Sequence, residues 1–163
     1  MKYIVLILIL LIPNNLISKS YTDEYWYLNY SKEAPLQKIA KNSDETYRLF
    51  IIPLGYVSHV IRIELIKDKY RLYYKRGKSS GKSPQFTETV KPLTKNQWQD
   101  FIALLNQASF WLLPSLEYDK LGMDGITYIL EGAKSNQYHF VKRWSPKEES
   151  FLKTCKYLGN LAQ

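Results

Sequence analysis

Four ionisable residues in the C-terminal half of the chain could act together: Asp124, Glu131, His139 and Arg143. Ile126 to Glu131 (ITYILE) and Tyr138 to Trp144 (YHFVKRW) read as two strands of a hairpin, with the turn inside Gly132 to Gln137. A turn over Ala133 to Asn136 would set Leu130 opposite His139, Tyr128 opposite Val141 and Ile126 opposite Arg143 on one face. Glu131 and Tyr138 then share the other face with Thr127, Ile129 and Phe140, and a one-residue slip would change these partners. His139 and Arg143, with Asp124 at the start of the first strand, could form one cluster. Arginine presents a planar fork of donors to a carboxylate or phosphate, and an acid beside a histidine is an acid–base pair. The plainer reading is structural: Asp124-Gly125 is ordinary turn chemistry, and a strand histidine more often satisfies a neighbour than catalyses. Trp111 and Trp144 bracket the region and could anchor a binding surface.

The spacings that announce established chemistry are missing. The chain has no HExxH, GxSxG, Walker loop or GxGxxG. His59 and His139 are its only imidazoles and Cys155 its only thiol, so a zinc site from both histidines and a carboxylate has no spacing to recommend it. No catalytic residue, metal or cofactor is expected on this reading. Cys155 cannot form an intrachain disulfide and is expected to be a buried, inert thiol.

The elements that must position these residues follow from periodicity. Tyr47 to Pro53, His59 to Ile66, Tyr70 to Lys75 and Gln85 to Lys91 read as strands; in the second, Ile61, Ile63 and Leu65 alternate with Arg62 and Glu64. Lys67-Asp68-Lys69 makes a tight connection, and Arg76 to Pro84 is a polar loop. Thr94 and Gln97 form a capping box before Trp98, Phe101, Ile102, Leu105 and Ala108, a helical stripe. A last helix is predicted from Ser145 as cap, Pro146 at its first position and Glu148 completing a second box. Its buried face is Phe151, Leu152, Cys155, Leu158 and Ala162. The order ββββ-α-ββ-α without βαβ alternation predicts an α+β domain over residues 46–163, an antiparallel sheet of about six strands packed on two helices.

Residues 1–20 read as a secretory signal peptide. Lys2 precedes the apolar run Tyr3 to Ile12, Pro13-Asn14-Asn15 breaks it, and Ser18-Lys19-Ser20 offers cleavage after Ser18 or Ser20. The run is about half the ~20 residues needed to span a bilayer, and no cysteine follows it to carry a lipid. The mature chain is therefore expected in the periplasm or outside the cell. Residues 21–45 form an aromatic-rich arm containing Tyr21, Tyr25, Trp26, Tyr27 and Tyr30, irregular or with a short helix around Leu36 to Ala40, packing its rings on the domain. A hydrophobic fraction of 45% supports a real core and argues against disorder. The formal charge of +8, lowered by Lys2 and Lys19 when the leader is removed, points outside the cytoplasm to acidic proteins, anionic polymers or lipid rather than nucleic acid.

Three stretches carry a resemblance: Phe110-Trp111-x-Leu113-Pro114, Asp124-Gly125-x-x-Tyr128-x-Leu130-Glu131-Gly132, and Tyr138-His139-x-Val141-x-Arg143-Trp144-Ser145-Pro146. Together they resemble an uncharacterised, recurring group of small bacterial proteins, with Tyr128 where Trp is more usual. The resemblance covers residues 94–163 and implies a shared fold and a shared site around Asp124, Glu131, His139 and Arg143, but no activity.

The leading expectation is an exported, non-catalytic module that binds another macromolecule, such as an inhibitor or immunity-type protein. One alternative is an envelope enzyme using the Asp/Glu-His-Arg cluster under the loop 112–125, on a cell-wall or phosphorylated substrate. Another is a basic binder of glycan or anionic lipid through Lys75, Arg76, Lys78 and Lys82.

Overall fold

Alternating apolar residues build the sheet, and a computed structural model describes it through residues 25–53, 56–78, 84–117 and 124–163. The signal-peptide reading, Tyr21 and Lys82 lie outside the described residues. The strands are β1 (Glu45–Pro53), β2 (His59–Ile66), β3 (Lys69–Lys78), β4 (Gln85–Pro92), β5 (Ile126–Lys134) and β6 (Gln137–Trp144). They form one antiparallel sheet in the order β4-β3-β2-β1-β5-β6. The β2–β3 turn is Lys67-Asp68, with φ of 47° and 61°. Two left-handed residues match the twist of a two-residue hairpin, and Asp44 Oδ2 accepts the Lys67 amide at 2.9 Å.

The helices are α1 (Trp26–Ser31), α2 (Leu36–Ile39), α3 (Lys95–Gln107) and α4 (Glu149–Leu161). The Thr94–Gln97 capping box forms in full: Thr94 N donates to Gln97 Oε1 at 2.9 Å and Gln97 N to Thr94 Oγ1 at 3.2 Å. The predicted start of α4 does not hold. Ser145 N still donates to Ile126 O in the β5–β6 ladder, and Ser145 adopts φ 42°. Only at Glu148 can the chain turn into the helix, and Glu148 caps it without a side-chain hydrogen bond.

α3 and α4 pack on one sheet face, formed by Tyr47, Leu49, Ile61, Ile63, Leu72, Leu130 and Val141. Trp98, Phe101, Leu105, Phe151, Cys155 and Leu158 fill this layer from the helices. Burial of each such side chain stabilises the fold by about 1.5–3 kcal/mol. Thr154 Oγ1 donates to Leu104 O at 3.1 Å and Tyr157 OH to Gln97 O at 3.2 Å, joining the two helices.

The opposite face is covered as well, by the arm. Tyr27 meets Phe50 edge-on at 4.7 Å, and Tyr27 and Leu28 close a second apolar cluster with Ile52, Val57, Val60 and Ile129. Packing rather than periodicity holds α1, which is too short to be stable alone. Lys32 ends it in the left-handed region (φ 54°), with Glu33 N returning to Leu28 O at 2.8 Å.

Candidate functional site

β5 and β6 join through a shorter turn than predicted. Lys134 pairs with Gln137, so Ser135-Asn136 makes the turn, Leu130 faces Val141, and His139 faces Gly132. Gly132 is a strand residue there: a Cβ on it would stand 2.8 Å from Phe110 Cε1 and 3.0 Å from the Tyr47 ring. The register moves by two residues, which preserves every side chain's face.

The four sequence-predicted residues do not form one site. His139 and Arg143 lie on the face of α3 and α4, Glu131 lies on the arm face, and Asp124 is exposed. His139 Nε2 is 3.0 Å from Leu113 O, in a geometry that suits donation to that carbonyl. Burial lowers the His139 pKa and Arg143 adds to this, against the opposing pull of the Leu113 and Phe110 carbonyls. The His139 ring lies beside Phe110 (5.1 Å) and Trp111 (6.2 Å). Arg143 donates to Pro114 O at 2.8 Å and Lys142 O at 2.9 Å, with Glu117 and Glu148 carboxylates 3.1 and 3.6 Å from Nε. These bonds fasten segment 113–117 along β6, where Lys142 N also donates to Ser115 O at 2.8 Å. Trp144, half-buried, roofs Gly125 so closely that a Cβ there would enter its ring. His139, Arg143, Trp111 and Trp144 thus have defined structural work.

Beneath the arm lies a charge cluster that the sequence reading did not assemble. Arg48, fully buried in β1, donates through Nε to Glu131 Oε2 at 2.6 Å and through Nη1 to Glu33 Oε2 at 3.0 Å and Ala34 O at 2.7 Å. Its guanidinium carbon sits 4.9 Å from the Phe50 ring centroid. Lys75 pairs with the other oxygen of Glu33, and Tyr138 OH donates to Glu131 Oε1 at 2.9 Å. Burial opposes the Arg48 charge, but Glu131 and Glu33 outweigh it and hold the pKa above its ordinary value. Burial, then the Glu131 charge, pushes the Tyr138 hydroxyl far above the ordinary tyrosine value. A cavity of about 230 Å³ opens beside this cluster, lined by Tyr25, Leu28, Glu33, Pro35, Glu131 and Tyr138 among others. Both carboxylates at its wall already hold cations, so the cluster clamps the arm to the sheet.

Asn29-Tyr30-Ser31 has the form of an N-glycosylation acceptor. It lies within α1, with Asn29 exposed and the buried Ser31 hydroxyl donating to Tyr27 O at 2.6 Å. Among the described residues no group of three or more His, Cys, Asp or Glu could hold a metal. No helix among them is long and apolar enough to cross a membrane.

The open part of the molecule is the β3–β4 side. β4 is exposed at Gln85, Thr87, Glu88, Thr89, Val90 and Pro92, with Val90 54% accessible. Lys69, Arg71, Arg76 and Lys78 of β3 are exposed beside it, and with Lys91 form no ion pair among the described residues. Tyr73 carries the Arg62 guanidinium 4.1 Å above its ring. On the helix face His59 stacks on Tyr74 at 5.8 Å, its pKa lowered by burial and by Arg76. The signal for this surface in the sequence was the density of Lys and Arg between residues 67 and 82. Neither a known protein family nor a curated protein matches the chain.

Proposed function

We propose that the chain is an exported, non-catalytic module that binds an acidic macromolecular partner, in the manner of an inhibitor or immunity-type protein. The observation that carries this is the uncovered, cationic β3–β4 side of the sheet. It contrasts with the sequence-predicted chemical residues, three of which are held by neighbours inside the fold. Cations without internal partners attract an acidic surface and speed its encounter. The leader-like residues 1–20 and the single cysteine fit export of a chain stabilised by packing alone.

The envelope-enzyme alternative is the weaker reading: Glu131 stands on the sheet face opposite His139 and Arg143, and His139 and Arg143 are each held by backbone carbonyls. Expression of the full chain followed by envelope fractionation tests the proposal. A processed chain beginning at Lys19 or Tyr21 that captures a stoichiometric acidic protein supports it. Retention in the cytoplasm, or capture only of polymer that salt removes, refutes it.

A further inference from the structure

The hydrogen-bond phase of β4 decides which of its backbone groups are free. Leu93 N donates to Tyr70 O at 3.1 Å, so Tyr70/Leu93 is a hydrogen-bonded pair of the β3–β4 ladder. Bonded pairs recur every second residue in an antiparallel ladder. The pairs Leu72/Lys91, Tyr74/Thr89, Arg76/Thr87 and Lys78/Gln85 therefore face inward. The N–H and C=O groups of Phe86, Glu88 and Val90 point away from the sheet. Pro92, which has no N–H, ends this outward row. The other sheet edge is obstructed: at β6, Lys142 N is taken by Ser115 O, Leu116 forms a parallel bridge to Lys142, and Tyr25 packs on Phe140 at 6.5 Å.

We infer that β4 is a docking edge to which an extended, acidic segment of a partner protein adds as a further strand. This rests on the reading of the chain as a binding module and specifies its mode and its partner's chemistry. Three outward N–H groups, at alternate residues, supply the main-chain bonds of strand addition. Charge selects the occupant. On the helix face Arg76 lies beside Thr87, Lys78 beside Gln85, and Lys91 is in β4 itself. Carboxylates on the helix face of an added strand would flank Lys91 and lie in the field of Arg76 and Lys78 one strand further in, whereas lysines would be repelled. The one carboxylate of β4, Glu88, already faces Lys75. Val90, opposite Tyr73, offers an apolar seat for a β-branched side chain on the arm face. A second copy of the chain is disfavoured at this edge, because antiparallel pairing of two β4 strands brings both cationic flanks together.

The test uses the isotopically labelled chain with two short synthetic peptides, one alternating valine with glutamate and one alternating valine with lysine. Amide exchange at Phe86, Glu88 and Val90 is followed by NMR, and affinity by fluorescence anisotropy. The acidic peptide is expected to slow exchange at those three amides and to bind at least about tenfold more tightly than the lysine peptide. Glu88→Pro removes one outward N–H without breaking the β3 ladder and should weaken acidic-peptide binding by about tenfold or more. Arg76→Glu, on the exposed surface, provides a second variant if Glu88→Pro perturbs folding, and should weaken binding similarly. No added protection at the three amides overturns the inference, as does equal binding of the two peptides or indifference to both variants. Amides already protected in a concentration-dependent dimer would assign the edge to a second copy and overturn it equally. The binding-module reading is tested separately by envelope fractionation and capture, so its failure is distinguishable from failure of the edge.

Discussion

Removing the charge of Glu131 should destabilise the protein more than any surface ion-pair loss, because the partner left behind has no access to water. Arg48 is 0% and Glu131 1% exposed at their side chains, and their contact is 2.6 Å. Breaking a buried pair on one side costs about 3–5 kcal/mol. Arg48 retains Glu33 at 3.0 Å and Ala34 O at 2.7 Å, which places Glu131→Met near the lower end, at about 3 kcal/mol. For a domain of this size that lowers Tm by about 10 °C. Arg48→Met strands the Glu131 carboxylate with only the Tyr138 hydroxyl and should cost about the same, ~3 kcal/mol. The double variant leaves no uncompensated charge, so its cost should fall short of the sum by at least about 2 kcal/mol. Urea unfolding followed by tryptophan fluorescence gives all three values. Additive costs, or singles within about 1 kcal/mol of the parent, would refute the buried clamp.

Four further outcomes are expected. Gly132→Ala, whose Cβ would press on Phe110 and Tyr47, should cost about 2 kcal/mol, while Gly159→Ala in α4, where a Cβ meets nothing within 4 Å, should stabilise by about 0.5–1 kcal/mol; urea midpoints moving in the same direction would contradict this. Burial raises the Cys155 thiol well above its usual range, so a thiol reagent should label the chain only at the rate of unfolding, and rapid labelling of the folded protein would count against it. Lys67→Asn with Asp68→Gly should raise stability by about 1 kcal/mol, since both positions are left-handed; a lower urea midpoint would dispute the turn geometry. His139 and His59 have folded pKa values held below the ordinary 6.5. The unfolded chain therefore binds more protons as pH falls through 6.5, and their stabilisation, complete above that pH, is lost toward the depressed folded values. His139→Gln should flatten the urea-midpoint profile in that window, and an unchanged slope would contradict the His139 environment.

Local signals carried most of the fold. β2 begins at His59 and ends at Ile66 as its alternation predicts, and the Thr94–Gln97 box starts α3. The faces of β5 and β6 were legible despite a two-residue register error, because side-chain direction depends only on parity. The register itself was not, since Gly132 resembles a turn residue until Phe110 is seen packing against it. Ser145-Pro146 looked like a helix start because the ladder bond from Ser145 to Ile126 is non-local. The arm cluster was hidden for the same reason: Glu33, Arg48 and Glu131 are brought together only by sheet pairing and the arm's return. Arg48 within the apolar strand ETYRLFIIP was its one local trace. The cationic β3–β4 side could be read as composition, but its openness depends on β4 being a sheet edge.

Binding through the β3–β4 side is tested most directly by comparing envelope capture by the parent chain, Arg76→Glu/Lys91→Glu and His139→Gln, washed at low and high salt. One acidic protein should be retained stoichiometrically by the parent and by His139→Gln, and lost from the charge-reversed variant. Retention by the charge-reversed variant, or loss from His139→Gln alone, would contradict a partner site on β3–β4 and return attention to the His139–Arg143 face.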